Sequence, residues 1–155
     1  MTAPSQPVPA GKPLILVEIA PGELLDKITI LEIKAERITE ADRLHNVRTE
    51  LAALRAVRYR ALPSSTELEE LTAQLRQVNE TLWDVEDAIR LCDHDGDFGE
   101  HFVELARSVY RHNDRRAALK RRINELLDSA IREEKQYTSY SAGAPPPPSS
   151  PARFR

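Results

Sequence analysis

Leu68 to Cys92 reads LEELTAQLRQVNETLWDVEDAIRLC, and within it Leu68, Leu71, Leu75, Val78, Leu82, Val85, Ile89 and Cys92 alternate three and four apart. This is the spacing of a helix that offers one apolar seam to a neighbouring helix. The same spacing returns in Phe98, Phe102, Leu105, Val109, His112, Arg116, Leu119, Ile123, Leu126 and Ala130. Asp95, Gly96 and Asp97 break the two runs apart. The pattern predicts an all-α, antiparallel helical bundle built on a long coiled-coil-like hairpin. In the second run His112 and Arg116 stand where apolar residues are expected, so the seam carries either a specificity device or part of a site.

Working outward, Pro21 and Gly22 open a first helix whose spacing runs through Leu24, Ile28, Leu31, Ala35 and Ile38, with Ile30 and Ile33 widening its apolar surface. Thr39 and Asp42 resemble a capping box and start a second helix through Leu44, Val47, Leu51 and Leu54 to Ala61, which Pro63 stops. Ser64 and Glu67 form a second such box, opening the acidic helix. The last helix is expected to reach Tyr137, at a length of about 55 Å, which points to a homo-oligomer because the first helix cannot cover it. Before Pro21, Leu14 to Ile19 alternate as a short strand, to be paired with a symmetry mate or laid over the bundle as an extended arm. Residues 1–13 and the Pro-rich tail 138–155 read as disordered, leaving a helical domain at 14–137.

Composition narrows the function. The chain has 155 residues, 41% of them apolar and 5% aromatic, enough for one packed helical domain. Its net charge of -3 hides segregation: Glu67 to Glu100 is strongly acidic and Arg107 to Arg122 strongly basic. An acidic helix folded on a basic one accounts for this, and no nucleic acid is expected as partner. One cysteine, Cys92, lies in the apolar repeat and makes no disulfide framework. The run from Pro13 to Ala20 is too short for a membrane span and lacks a signal-peptide pattern, so no membrane insertion and a cytoplasmic setting are expected. Asp93, Asp95, Asp97 and Glu104 match positions one, three, five and twelve of a calcium loop, but Phe98 stands where glycine is needed. The four histidines have no metal spacing, and neither a metal nor a cofactor is expected.

Three stretches carry a resemblance. Pro21 to Lys34 reads PGELLDKITILEIK, Asn79 to Arg90 reads NETLWDVEDAIR, and Leu105 to Asn124 reads LARSVYRHNDRRAALKRRIN. Together they resemble an uncharacterised bacterial family known only as a domain of unknown function, over about residues 14–137. The second and third stretches are also similar to another uncharacterised bacterial helical family, in part. The resemblance implies a neighbourhood of glycosyltransferases of cell-surface polysaccharide assembly, and no mechanism.

The candidate site gathers around the interrupted seam. A stripe of Asn79, Trp83, Glu86 and Arg90 runs beside the apolar seam of one helix, and Tyr110, Asn113, Ala117, Lys120 and Asn124 beside that of the other. A first helix lying in their shared groove would bring Asp26, Lys27 and Lys34 close to Arg116. Candidate ligand-binding residues are therefore Lys27, Asn79, Trp83, Glu86, Arg90, Asn113, Arg116 and Lys120. The leading reading is a noncatalytic accessory or interaction protein with Glu86, Asn113 and Arg116 as a buried polar layer, with a glycosyltransferase as possible protein partner. The alternative is a binding module or enzyme in which Arg116, Lys120 and Lys27 hold an anion such as a sugar phosphate or nucleotide sugar. A metal-assisted hydrolase on Asp84 and Asp87, or Glu32 and Glu36, is the third. Catalysis is left open by the sequence.

Overall fold

The computed structural model describes residues 15–131 and residue 134. The chain is an all-α bundle of four helices in these residues: α1 (Pro21–Arg37), α2 (Ala41–Ala61), α3 (Thr66–Asp95) and α4 (Glu100–Leu126). The expected terminal segments 1–13 and 138–155 lie outside the described residues.

α3 and α4 form the hairpin that the repeats predict. Gly96 adopts the left-handed conformation, φ 68°, while Asp97 N–H donates to the Cys92 carbonyl and Gly96 N–H to that of Asp93. This closure satisfies the last carbonyls of α3 and turns the chain. The seam of Leu68, Leu71, Leu75, Val78 and Leu82 is buried with Leu119 and Ile123 of α4. Cys92 is a buried free thiol, in keeping with its place in the repeat.

α1 is the central element. It packs on α2, α3 and α4, whereas α2 has only α1 as a close helical neighbour among the described residues. Leu24, Leu25, Ile28, Leu31 and Ile33 are all buried, and each such side chain contributes on the order of 1.5–3 kcal/mol relative to exposure. The wide apolar surface read from Ile30 and Ile33 is thus explained by contacts on several sides. Pro21 begins the helix where a missing N–H is harmless.

Several expectations are corrected. Residues 15–20 form no strand and precede α1 as a non-helical arm; no strand occurs among the described residues. Thr39 does not cap α2: the N-cap is Glu40, without a side-chain cap bond. α3 is capped by Ser65 and not by Ser64, its Oγ accepting from Leu68 N–H at 3.2 Å. Phe98 lies outside α4 and is exposed, its ring edge-on to Phe102.

The largest correction concerns α4, which ends at Leu126 and spans 27 residues, or about 40 Å. Asp128 takes a positive φ of 48°. Ser129 N–H donates to the Asn124 carbonyl and Asp128 N–H to that of Glu125. That pairing terminates a helix with a left-handed residue, and Asp tolerates the conformation better than most side chains. With glycine absent, the stop has no strong sequence signal. The argument for oligomerisation from an uncovered 55 Å helix falls with it.

Charge segregation also has a different outlet from the one expected. Acidic residues of α3 pair with Arg58 of α2, through Glu69, and with Arg37 of α1, through Asp84. Arg76 binds Glu32 and Glu36 of α1 and Glu80 on its own helix. On α4, Arg107 and Arg111 turn to Glu104 of their own helix, while Arg116 and Lys120 reach α1. The α3–α4 seam is therefore apolar rather than an acidic helix neutralising a basic one.

Gly22 sets the distance between α1 and α4. A Cβ there would lie 2.6 Å from the Lys120 carbonyl oxygen and 2.9 Å from Asn124 Oδ1. Replacing Gly22 by Ala should lower stability by about 1–3 kcal/mol through overpacking, against the gain that alanine ordinarily brings a helix. Urea unfolding followed by circular dichroism reads the sign directly; a stabilised variant would show that the helices separate at no cost.

Candidate functional site

α1 meets α4 as an antiparallel ladder. Gly22 N–H donates to Asn124 Oδ1 at 2.8 Å, Lys120 Nζ donates to Glu23 Oε2 at 2.6 Å, and Arg116 engages Asp26. Polar residues in the first and third family-like stretches are thereby matched rung by rung.

The rung at Asp26 is the centre of a closed polar layer. Asp26 is 1% exposed. Arg116 donates Nε–H to Asp26 Oδ1 at 2.9 Å and Nη2–H to Oδ2 at 2.5 Å, a two-pronged pair of the kind that best matches guanidinium to carboxylate. Asn79 of α3 donates Nδ2–H to the same Oδ1 at 2.9 Å and to Thr29 Oγ1 at 3.1 Å. Thr29 donates its hydroxyl to the Asp26 backbone carbonyl at 2.9 Å. Among the described residues no buried side-chain nitrogen or oxygen lacks a partner. A buried carboxylate costs free energy unless its hydrogen bonds are made, so three helices are tied to one group.

The sequence reading placed Glu86 and Asn113 with Arg116 in the buried layer. In the structure Glu86 is exposed and Asn113 half-buried, and the layer is instead Asp26, Thr29, Asn79 and Arg116. The missed residue was Thr29. Its signal was available: Gly22, Asp26, Thr29 and Ile33 fall four, three and four apart, a second stripe on α1 with a charge inside it.

Beside the layer lies a cleft of about 360 Å³, lined by Ile30 and Ile33 of α1, by Asn79, Leu82, Trp83, Glu86, Asp87 and Arg90 of α3, and by Asn113 and Arg116 of α4. Six of the eight candidate residues therefore share one cavity: Asn79, Trp83, Glu86, Arg90, Asn113 and Arg116. The other two do not. Lys27 lines a second recess, which Asp26, Lys34 and Arg116 also line as the sequence led one to expect, with its Nζ 3.9 Å from the Glu50 carboxylate; Lys120 lies 10% exposed against Glu23. The three cations expected to converge on an anion are thus each set against a different carboxylate.

Arg37 closes the outer end of α1 over α3. Its guanidinium carbon sits 5.6 Å from the Trp83 ring centroid, and its pKa is raised by the hydrogen bond to Asp84. Arg76 works against its own burial, yet Glu36 and Glu80 hold its pKa above the ordinary value. Three of the four carboxylates of the hydrolase reading, Asp84, Glu32 and Glu36, are bonded to Arg37, Arg55 and Arg76, while Asp87 lines the cleft. No group of three or more His, Cys, Asp or Glu side chains that could hold a metal ion occurs among the described residues. Nor is any helix there long and apolar enough to cross a membrane.

The model of a family of unknown function, DUF6165, matches residues 15–152. The chain belongs to that family. All three stretches that carry the resemblance fall inside the match, and they supply the ladder, the polar layer and the cleft wall. No curated protein and no solved structure matches.

Replacing Arg116 by Met removes the partner of a buried carboxylate and should cost about 3–5 kcal/mol. Replacing Asp26 by Leu in the same chain should restore much of that loss, because both charges then leave together. A double-mutant cycle by urea unfolding measures the coupling; a coupling near zero would mean that water already satisfies Asp26.

Proposed function

We propose that this member of the family is a noncatalytic helical accessory or interaction protein, acting in the cytoplasm beside a protein partner such as a glycosyltransferase of cell-surface polysaccharide assembly. The observation that supports this reading is the closure of the polar layer. Asp26, 1% exposed, has both oxygens engaged by Arg116 and Asn79, so its carboxylate is committed to holding the helices together and is not left to move a proton. A charged layer of this type ties helices in one register, the best-attested use of buried polar groups.

A second reading rests on a separate observation. In the cleft, the side chains of Glu86, Arg90 and Asn113 have no hydrogen bond or ion pair among the described residues, and half-buried Trp83 stands beside them. Such a wall suits a small polar ligand. Arg116 is matched by Asp26, which leaves Glu86 and Asp87 against Arg90 and weighs against a strongly anionic ligand such as a sugar phosphate or nucleotide sugar.

Two measurements separate these readings. Thermal unfolding of the full chain with a hexose phosphate, a uridine diphosphate sugar or divalent ions should show no shift, whereas a ligand at about 100 times its Kd would add on the order of 2.7 kcal/mol. Trp83 is the single tryptophan, so its fluorescence reports the cleft alone. A saturable change that Arg90→Ala and Asn113→Ala abolish would replace the accessory reading with the binding one. Titration against a purified glycosyltransferase of the stated class should give a saturable complex, and its absence across that class would remove the named partner.

A further inference from the structure

Ile15, Leu16 and Val17 are 85%, 95% and 72% exposed, and Ile19 is 41% exposed. No other run in the described chain leaves so much contiguous apolar surface in water, and such surface ordinarily marks an interaction site. The run cannot join α1. Pro21 follows it, and the residue before a proline is held out of the helical region; Ala20 accordingly has φ -69° and ψ 150°. The peptide groups of residues 15–19 also make no hydrogen bond among the described residues. Burial and backbone pairing are therefore both unmet, and strand pairing supplies both at once.

We propose that residues 15–19 pair with the same residues of a second copy, as an antiparallel two-stranded ribbon about a two-fold axis at Val17. The body of the chain has no strand among its described residues to receive the arm, so the extended apolar segment that this chain itself offers is another arm. Self-pairing across a two-fold axis requires a self-complementary register. Centred on Val17, Ile15 lies opposite Ile19 and Leu16 opposite Glu18, and the β-branched residues Ile15, Val17 and Ile19 of both copies share one face. Centred on Glu18, two carboxylates would oppose each other; centred on Leu16, Ile19 would have no partner within residues 15–19.

A two-stranded ribbon needs support in water. It has a candidate at the base of each arm, where a recess of about 220 Å³ is lined by apolar Ile19, Ala20 and Ile131 together with Glu18, Glu23, Lys120 and Asn124. Ile131 is itself 41% exposed there, giving the β-branched face apolar surface to rest on. The inference stands apart from the accessory reading, since it needs no foreign partner.

Sedimentation equilibrium of the full chain tests it. Wild type should dimerise, and Val17→Asp should weaken the dimer by at least about tenfold while leaving helical content unchanged, because Val17 touches no part of the bundle core. Val17→Thr, which keeps the branched side chain, should retain the dimer. Residues directly opposite in an antiparallel pair bring Cα atoms to about 4.5–5.5 Å, within disulfide reach, so Val17→Cys should link two copies on mild oxidation. Tyr59→Cys, at an even more exposed position on α2, should not link, and buried Cys92 gives little background. A wild type that stays monomeric at every concentration, or a dimer indifferent to Val17→Asp, overturns the proposal and leaves the arm to a foreign sheet edge. Faster linking by Glu18→Cys than by Val17→Cys overturns the register.

Discussion

The buried carboxylate of Asp26 constrains everything around it. An ionised group taken out of water is tolerable only with its hydrogen bonds made, and here they come from two other helices, Asn79 on α3 and Arg116 on α4. Any slip of α1 by one turn against the hairpin would separate the charge from its partners. Apolar contacts alone would resist such a slip far less, because one leucine replaces another at little cost. The layer thus converts a generic packing of helices into one register.

The Gly22 contact works with it. Close approach of the α1 backbone to Lys120 and Asn124 places Glu23 against Lys120 one rung away from Asp26, so the ladder is fixed at its end by shape and at its centre by charge. α2 is bound differently. It buries only Leu51, half-buries Val47 and Leu54, and is further held by surface ion pairs such as Arg55 to Glu32 and Arg58 to Glu69, which are individually weak. The expectation is a rigid unit of α1, α3 and α4 with α2 as its most readily opened element.

The cleft follows from the same geometry. α1 walls the cleft with Ile30 and Ile33 and its last turn reaches Trp83 and Asp84 of α3 through Arg37, which leaves the rest of the wall to side chains of α3 and α4. Glu86, Arg90 and Asn113 stand there uncommitted for that reason. Whether a site is buried or open is decided here by where one 17-residue helix ends.

The periodicity of residues 68–92 and 98–130 determined the helical hairpin, and proline, glycine and the apolar spacing determined four helices and most of their limits. Those signals are local: a seam repeats within one helix and a breaker acts on its own turn. The sequence also marked Arg116 as out of place. It brought Asp26, Lys27 and Lys34 near Arg116 only on the supposition that the first helix fills the groove, and did not single out Asp26, ninety residues away, as the bonded partner, because a charge in a seam can be met by any helix that packs against it. Ser65 in place of Ser64 and the stop at Asp128 escaped for a related reason, since a cap is chosen by backbone geometry and not by residue type alone. Only the tertiary structure decided which cations face which carboxylates, for ion pairing depends on distance in space, and distance along the chain carries no record of it.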